Sequence, residues 1–165
     1  MKQHHVFSFL QRMGKSFMLP IAVLPVAGIF LGVGSSLTNE TTIAALHLES
    51  VLGQGTFLYS VLILLKQVGK VLFDNLPLIF AVSIALGMSK RRKEVAALAA
   101  IIAFFVMHAT INTLLCLDGS IVNGVVSNYI LDGSITSVCG MLSLEMGVFG
   151  GIIVGLGVSY LHNRF

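Results

Sequence analysis

The chain has 165 residues, of which 56% are hydrophobic and only 10% charged, and its mean hydropathy is +0.94. Soluble domains carry about 25% charged residues, so the composition argues against a soluble fold and for four or five membrane spans of about 20 residues each. The net charge of +3 is no nucleic-acid signature, because the basic residues sit at the ends of apolar segments with no aromatic residues interleaved.

Residues 1–15 read MKQHHVFSFLQRMGK. Val6, Phe7, Phe9, Leu10 and Met13 share one side of a short helix, and Lys2, Gln3, Gln11, Arg12 and Lys15 fill much of the rest. That is an amphipathic segment suited to a membrane surface. His4 and His5 are too few for a metal site and read as a solvated tail. No cleavable signal peptide is evident, because the apolar run that follows has the length of a full span.

Residues 16–37 are the first expected span. Pro20 and Pro25 inside it are tolerated in lipid when neighbouring groups satisfy the freed backbone. Gly28 and Gly32, with Gly34 beyond, form a small-residue face that lets another backbone come close. The loop from Thr38 to Gln54 carries Glu40 and Glu49 but no Lys or Arg, which places it outside.

The stretch DNLPLIFAVSIALGMSKRRKE, Asp74 to Glu94, sets the orientation. An apolar run ending in Lys90, Arg91, Arg92 and Lys93 reads as a span meeting the cytoplasm, since basic residues are retained on that side. Residues 56–89 are too long for one straight span, and two spans would invert the charge rule. One crossing near 73–89 is expected, with 57–72 an interfacial section leading into a kink at Pro77. One long tilted helix is the other reading.

A third span is expected near 95–115. Its outer half carries His108 and Asn112, and an ionisable residue within a span is by default a functional candidate, although a histidine near an interface can simply bond to a neighbouring carbonyl. From Cys116 to Glu145 the turn signals Asp118-Gly119 and Asp132-Gly133 suggest short strands or a small cap. Cys116 and Cys139 have no metal-ligand spacing. Both fall on the expected outer side, where a disulfide is permitted, but two unpaired thiols in or near helix ends is the expectation. The last span is expected near 146–161, with Gly147, Gly151 and Gly155 spaced by four along one helix face.

GKSFMLPIAVLPVAGIFLGVG at 14–34 and DNLPLIFAVSIALGMSKRRKEVAALAA at 74–100 resemble the enzyme IIC sugar permease of the phosphoenolpyruvate-dependent phosphotransferase system, in its glucose, maltose and N-acetylglucosamine branch. MGVFGGIIVGLGVSYLHNRF at 146–165 is similar to the family's segment ahead of its second half. The resemblance implies an all-α integral membrane fold in the bacterial cytoplasmic (inner) membrane, multi-pass, with both termini cytoplasmic. It also implies uptake of a hexose or glucoside coupled to its phosphorylation, by a protein-N(pi)-phosphohistidine–sugar phosphotransferase. The implied partners are the sugar, membrane lipid, the IIB and IIA components, the C-terminal half of IIC and a second copy in a homodimer. No cofactor, metal or nucleic acid is implied.

The resemblance covers the family's N-terminal half, so residues 1–165 are expected to be the scaffold-like part of an EIIC domain without IIB or IIA. The Gly-Ile-Thr-Glu-Pro type sugar-binding motif and the Cys-Ile-Thr type phosphorylation site have no counterpart, and no catalytic residue carries over. Candidates for sugar contact are Asn75, His108 and Asn112. Candidates for helix packing are Gly28, Gly32, Gly147, Gly151 and Gly155. The alternatives are a truncated, transport-inactive protein that associates with a full-length permease, and an unrelated small membrane carrier.

Overall fold

The computed structural model describes residues 2–127 and 133–165, with side chains from Phe7 onward. In chain order the described residues form α1 (Lys2–Ser16), α2 (Met18–Leu37), α3 (Glu40–Ala45), α4 (Glu49–Leu52), α5 (Phe57–Asp74), α6 (Leu76–Met88) and α7 (Lys93–Leu117). Two antiparallel hairpins follow, β1 (Ile121–Val122) with β2 (Val125–Val126) and β3 (Ile135–Val138) with β4 (Met141–Leu144), and then α8 (Gly147–Arg164). The chain divides into two compact units, Met1–Pro20 with Asn75–Phe165, and Ile21–Asp74.

The helix Phe7–Leu37, which joins the end of α1 to α2, and α7 are each long and apolar enough to cross a membrane, and α5 and α6 reach that length and apolarity only when taken together across their break. This is the pattern of a multi-pass membrane protein. By length and apolarity alone, two helices among the described residues qualify, or three if the broken pair counts as one span. The remaining helix, α8, falls short because glycines dilute its apolar body and its last turn reads His162, Asn163, Arg164.

The break in the 56–89 region lies at Asn75, and Pro77 sits in the first turn of α6. There the missing proline N–H costs nothing, because the first turn of a helix has no intrahelical acceptor for it. The kink expected at Pro77 is therefore a helix start.

In the larger unit α6 lies between α7 and α8. Ala81, Phe104, Val138 and Val154 form one buried cluster, and Ala85, Ala96 and Ala100 a second with Val158 against it. These small residues bring the three helices close, which in lipid must replace hydrophobic burial as the source of association. The end of α1 docks on α6: the Ser83 hydroxyl donates to the Ser16 carbonyl at 2.5 Å, and the Phe17 and Phe80 rings tilt against each other with centroids 5.6 Å apart. In the smaller unit, Ile43, Leu52 and Leu62 pack together, and Asn39 caps α3 by accepting from the Thr41 N–H at 3.0 Å.

Both hairpins turn on residues with positive φ, Asn123-Gly124 (53° and 75°) and Cys139-Gly140 (50° and 84°). Two successive positive φ values make the tight turn whose twist matches the strands it joins. Of the two expected signals, only the first can be located. Gly119, at φ 78°, follows the C-cap of α7, and Asp132 falls outside the described residues.

Candidate functional site

Asn75, His108 and Asn112 stand on α7 and at the start of α6, and all three reach the same element, the β3–β4 hairpin. His108 is 2% exposed, and its Nδ1 lies 2.8 Å from the hydroxyl of Ser143, a residue with no exposure at all. The His108 ring meets Phe104 edge-on at 4.5 Å, which fixes the plane of the imidazole. One turn further along α7, the Asn112 amide Nδ2 donates to the Leu142 carbonyl at 2.6 Å. The Cys139 thiol, in the hairpin turn, donates to Asn75 Oδ1 at 3.4 Å. Cys116 and Cys139 are both free thiols, and burial pushes the Cys139 thiol pKa up by disfavouring the charged thiolate.

The hairpin passes directly into α8. The Glu145 N–H donates to the Ser134 carbonyl at 2.7 Å, and its carboxylate accepts from the Thr136 hydroxyl and from the Gly147 N–H. A carboxylate at a helix N-terminus meets unpaired N–H groups and the positive end of the helix dipole. Chemically, the arrangement fixes a hairpin over the ends of α6 and α7. No group of three or more His, Cys, Asp or Glu side chains positioned to hold a metal occurs among the described residues.

The five glycines separate into three kinds. A Cβ on Gly151 would overlap the carbonyl oxygen of Pro77, and one on Gly155 would come within 2.7 Å of the Ala81 carbonyl oxygen and 2.8 Å of Ile84 Cβ. Gly151 and Gly155 therefore lie along α6. Gly147 opens α8 with a φ of 52°, and Gly28 and Gly32 have open space where a Cβ would stand.

The Lys90–Lys93 connector is fastened by the last turn of α8. Asn163 accepts from the Lys90 N–H at 2.8 Å and donates to the Met88 carbonyl at 3.0 Å. His162 Nε2 lies 2.8 Å from the Arg91 carbonyl. Arg92 starts α7 from a left-handed conformation with φ 43°. Two residues that matter here carry no signal in the sequence. Asn163 looks like a polar tail, and its partners are more than seventy positions away. Ser143 could be suspected only from the alternation of MLSL, where it is the fully buried position.

Long apolar helices with two short hairpins, and helix contacts made at glycines within each compact unit, define a predominantly helical, multi-pass membrane protein. The chain belongs to the phosphotransferase system EIIC family, whose pattern, described as "Phosphotransferase system, EIIC", matches residues 14–165. It is 37% identical over 160 residues to the PTS system glucose-specific EIICBA component of Staphylococcus saprophyticus, an alignment that takes in 97% of this chain and 22% of that protein. It is 36% identical over 160 residues to the PTS system maltose-specific EIICB component of Escherichia coli K12, across 97% of this chain and 29% of that one. The chain thus spans less than a third of the length of these two relatives.

Proposed function

We propose that the chain is a membrane-embedded part of a phosphoenolpyruvate-dependent sugar uptake system, serving a hexose or glucoside that is phosphorylated as it enters. The observation that carries this reading is the family match across 14–165 together with relatives described as glucose-specific and maltose-specific. Trapping is the physical logic, since an anionic sugar phosphate does not recross hydrocarbon. Phosphoryl transfer belongs to IIB and IIA partners, and no catalytic residue is assigned to this chain. The sugar site is shared with the rest of a IIC domain. Asn75, His108 and Asn112 act on it indirectly by bracing the β3–β4 hairpin, with direct contact to sugar as the competing role. A second copy completes a homodimer.

The chain lies in a bacterial cytoplasmic membrane with both termini and Lys90–Lys93 inside. Charge supports this orientation, because the basic connector gathers on one side. Packing supports it too: Gly151 meets Pro77, Gly155 meets Ala81, and Asn163 meets Met88, so α6 and α8 run parallel and end together.

Two experiments test the reading. Cells lacking their own glucose and maltose permeases express the chain with the soluble relay proteins, alone or with a IIB domain and the remainder of a IIC in trans. Sugar phosphate is expected only with the added parts. Its formation by the chain alone overturns the division of labour. No formation in either arm, despite membrane insertion, favours the transport-inactive associate. Orientation is read with Ala45→Cys and Arg91→Cys in a chain whose own cysteines are serine. An impermeant maleimide should label position 45 in intact cells and position 91 only after permeabilisation.

A further inference from the structure

A groove of about 820 Å³ opens where α1 passes the ends of α6 and α8, within a single compact unit. Its lining joins three cations, Arg12, Lys90 and Arg164, to three apolar side chains, Phe9, Met88 and Leu156. No carboxylate lines it. The one ion pair among the described residues joins Lys70 to Asp74 elsewhere, so these three cations are unmatched. Arg164 is held in place by donating from Nη1 to the Tyr160 hydroxyl at 3.3 Å. Between the lining residues Met88 and Lys90, Ser89 is 4% exposed and its hydroxyl has no hydrogen-bond partner.

We propose that this groove is a binding site for a phospholipid with an anionic headgroup. Three like charges around one opening repel each other, and a phosphate monoanion or diester relieves that repulsion while accepting hydrogen bonds from each guanidinium and ammonium. A soluble phosphate would do the same for the charges but has no part that matches the apolar lining of Phe9, Met88 and Leu156. A lipid matches both halves, with its phosphate among the cations and the start of its acyl chains along Phe9, Met88 and Leu156. Basic pockets beside membrane helices recruit anionic lipid on this principle, at a surface that already concentrates it. The site also gives the amphipathic α1 a definite anchorage, since lipid would bridge Arg12 of α1 to Lys90 after α6 and to Arg164 of α8.

The test uses the purified full chain in phosphatidylcholine nanodiscs doped with phosphatidylglycerol, with bound lipid counted by native mass spectrometry. Retention of phosphatidylglycerol over phosphatidylcholine is expected. The double variant Arg12→Ala/Lys90→Ala should lose roughly tenfold or more of that preference. The charge-conserving pair Arg12→Lys/Lys90→Arg should keep most of it, and so should Lys93→Ala, a cation at the same end but outside the groove. Equal retention of the two lipids overturns the proposal, as does an undiminished preference in the alanine pair. Displacement of the lipid by millimolar inorganic phosphate or glucose 6-phosphate overturns it too, and assigns the groove to a soluble anion. None of these outcomes bears on the sugar-uptake reading, which is tested by sugar phosphate formation.

Discussion

Gly28 and Gly32 in α2 have the same four-residue spacing as Gly151 and Gly155 in α8, yet the two pairs sit in opposite surroundings. Against Gly151 and Gly155 stands the backbone of α6, so close that a methyl group at either position meets a carbonyl oxygen. Against Gly28 and Gly32 there is open space. The close approach in that unit is made by other glycines: Gly34 faces the backbone of Lys66, and Gly69 faces the Ala27 carbonyl and the Leu31 backbone. Spacing thus qualifies a helix face for close packing, and the partner's position decides whether the face is used. Gly28 and Gly32 lie six and two positions before Gly34, which turns them away from the seam that α2 makes with α5.

The sharpest way to break this comparison is to place the same side chain in both rows. Gly151→Leu has to displace the Pro77 carbonyl and with it the start of α6. Overpacking against backbone of this kind costs about 3 kcal/mol or more. Gly28→Leu meets no obstacle and gains helix propensity of roughly 0.8 kcal/mol, so stability should be unchanged or slightly raised. Ile153→Leu, at an exposed position beside the α8 row, should also be close to neutral. Thermal unfolding of the three variants in one detergent makes the measurement. Equal melting of Gly151→Leu and Gly28→Leu would leave the α8 row without a packing role. Gly69→Ala sharpens the comparison from the other side. Its methyl group would come within 2.5 Å of the Leu31 nitrogen, so a cost of about 1–3 kcal/mol is expected where spacing alone gives no warning.

A smaller effect is expected where α7 and the start of α6 hold the hairpin. Ser143→Ala leaves the buried His108 Nδ1 without its partner, at a cost of about 1–3 kcal/mol. His108→Ala adds the loss of the ring's contact with Phe104. In a double-mutant cycle the pair should show a coupling of about 1 kcal/mol, and the change should appear as faster proteolysis within 133–145. Additivity of the two single changes would mean that the 2.8 Å approach carries no stability. Asn112→Ala should act in the same direction by freeing the Leu142 carbonyl.

These sites also mark how far the sequence could be read. Apolar run lengths and the basic Lys90–Lys93 cluster are local signals, and they led to the membrane class and the position of the α6–α7 connector, while the family rested on the resemblance carried by residues 14–34, 74–100 and 146–165. The amphipathic pattern of residues 1–15 likewise falls on α1. What stayed hidden depends on partners far along the chain. His108 stood out as an ionisable residue in a span, but its commitment to Ser143, 35 positions away, has no trace in the spacing. Gly34 and Gly69 are ordinary glycines until their helices are laid side by side. The Asn123-Gly124 turn is a different matter, since Asn-Gly is a strong hairpin signal by itself. The expectation of turns rested on the two Asp-Gly pairs instead, and passed over a local signal that was legible.

The smallest predicted effect carries the same contrast, seated against open, to the two cysteines. Cys139 is half-buried in the hairpin turn with its thiol directed to Asn75 Oδ1, and burial has raised its pKa. Cys116 is exposed near the end of α7. Alkylation proceeds through the thiolate, so a raised pKa lowers the reactive fraction at any given pH and moves the rate profile towards higher pH. Iodoacetamide at pH 8 should therefore modify Cys116 several-fold faster than Cys139, as read by peptide mass spectrometry over time. Asn75→Ala removes the acceptor and loosens the turn, and should narrow the gap by speeding Cys139 while leaving Cys116 unchanged. Equal rates in the parent chain would mean that the hairpin opens faster than the reagent acts. The polar contacts from Asn75, His108 and Asn112 would then not hold it closed.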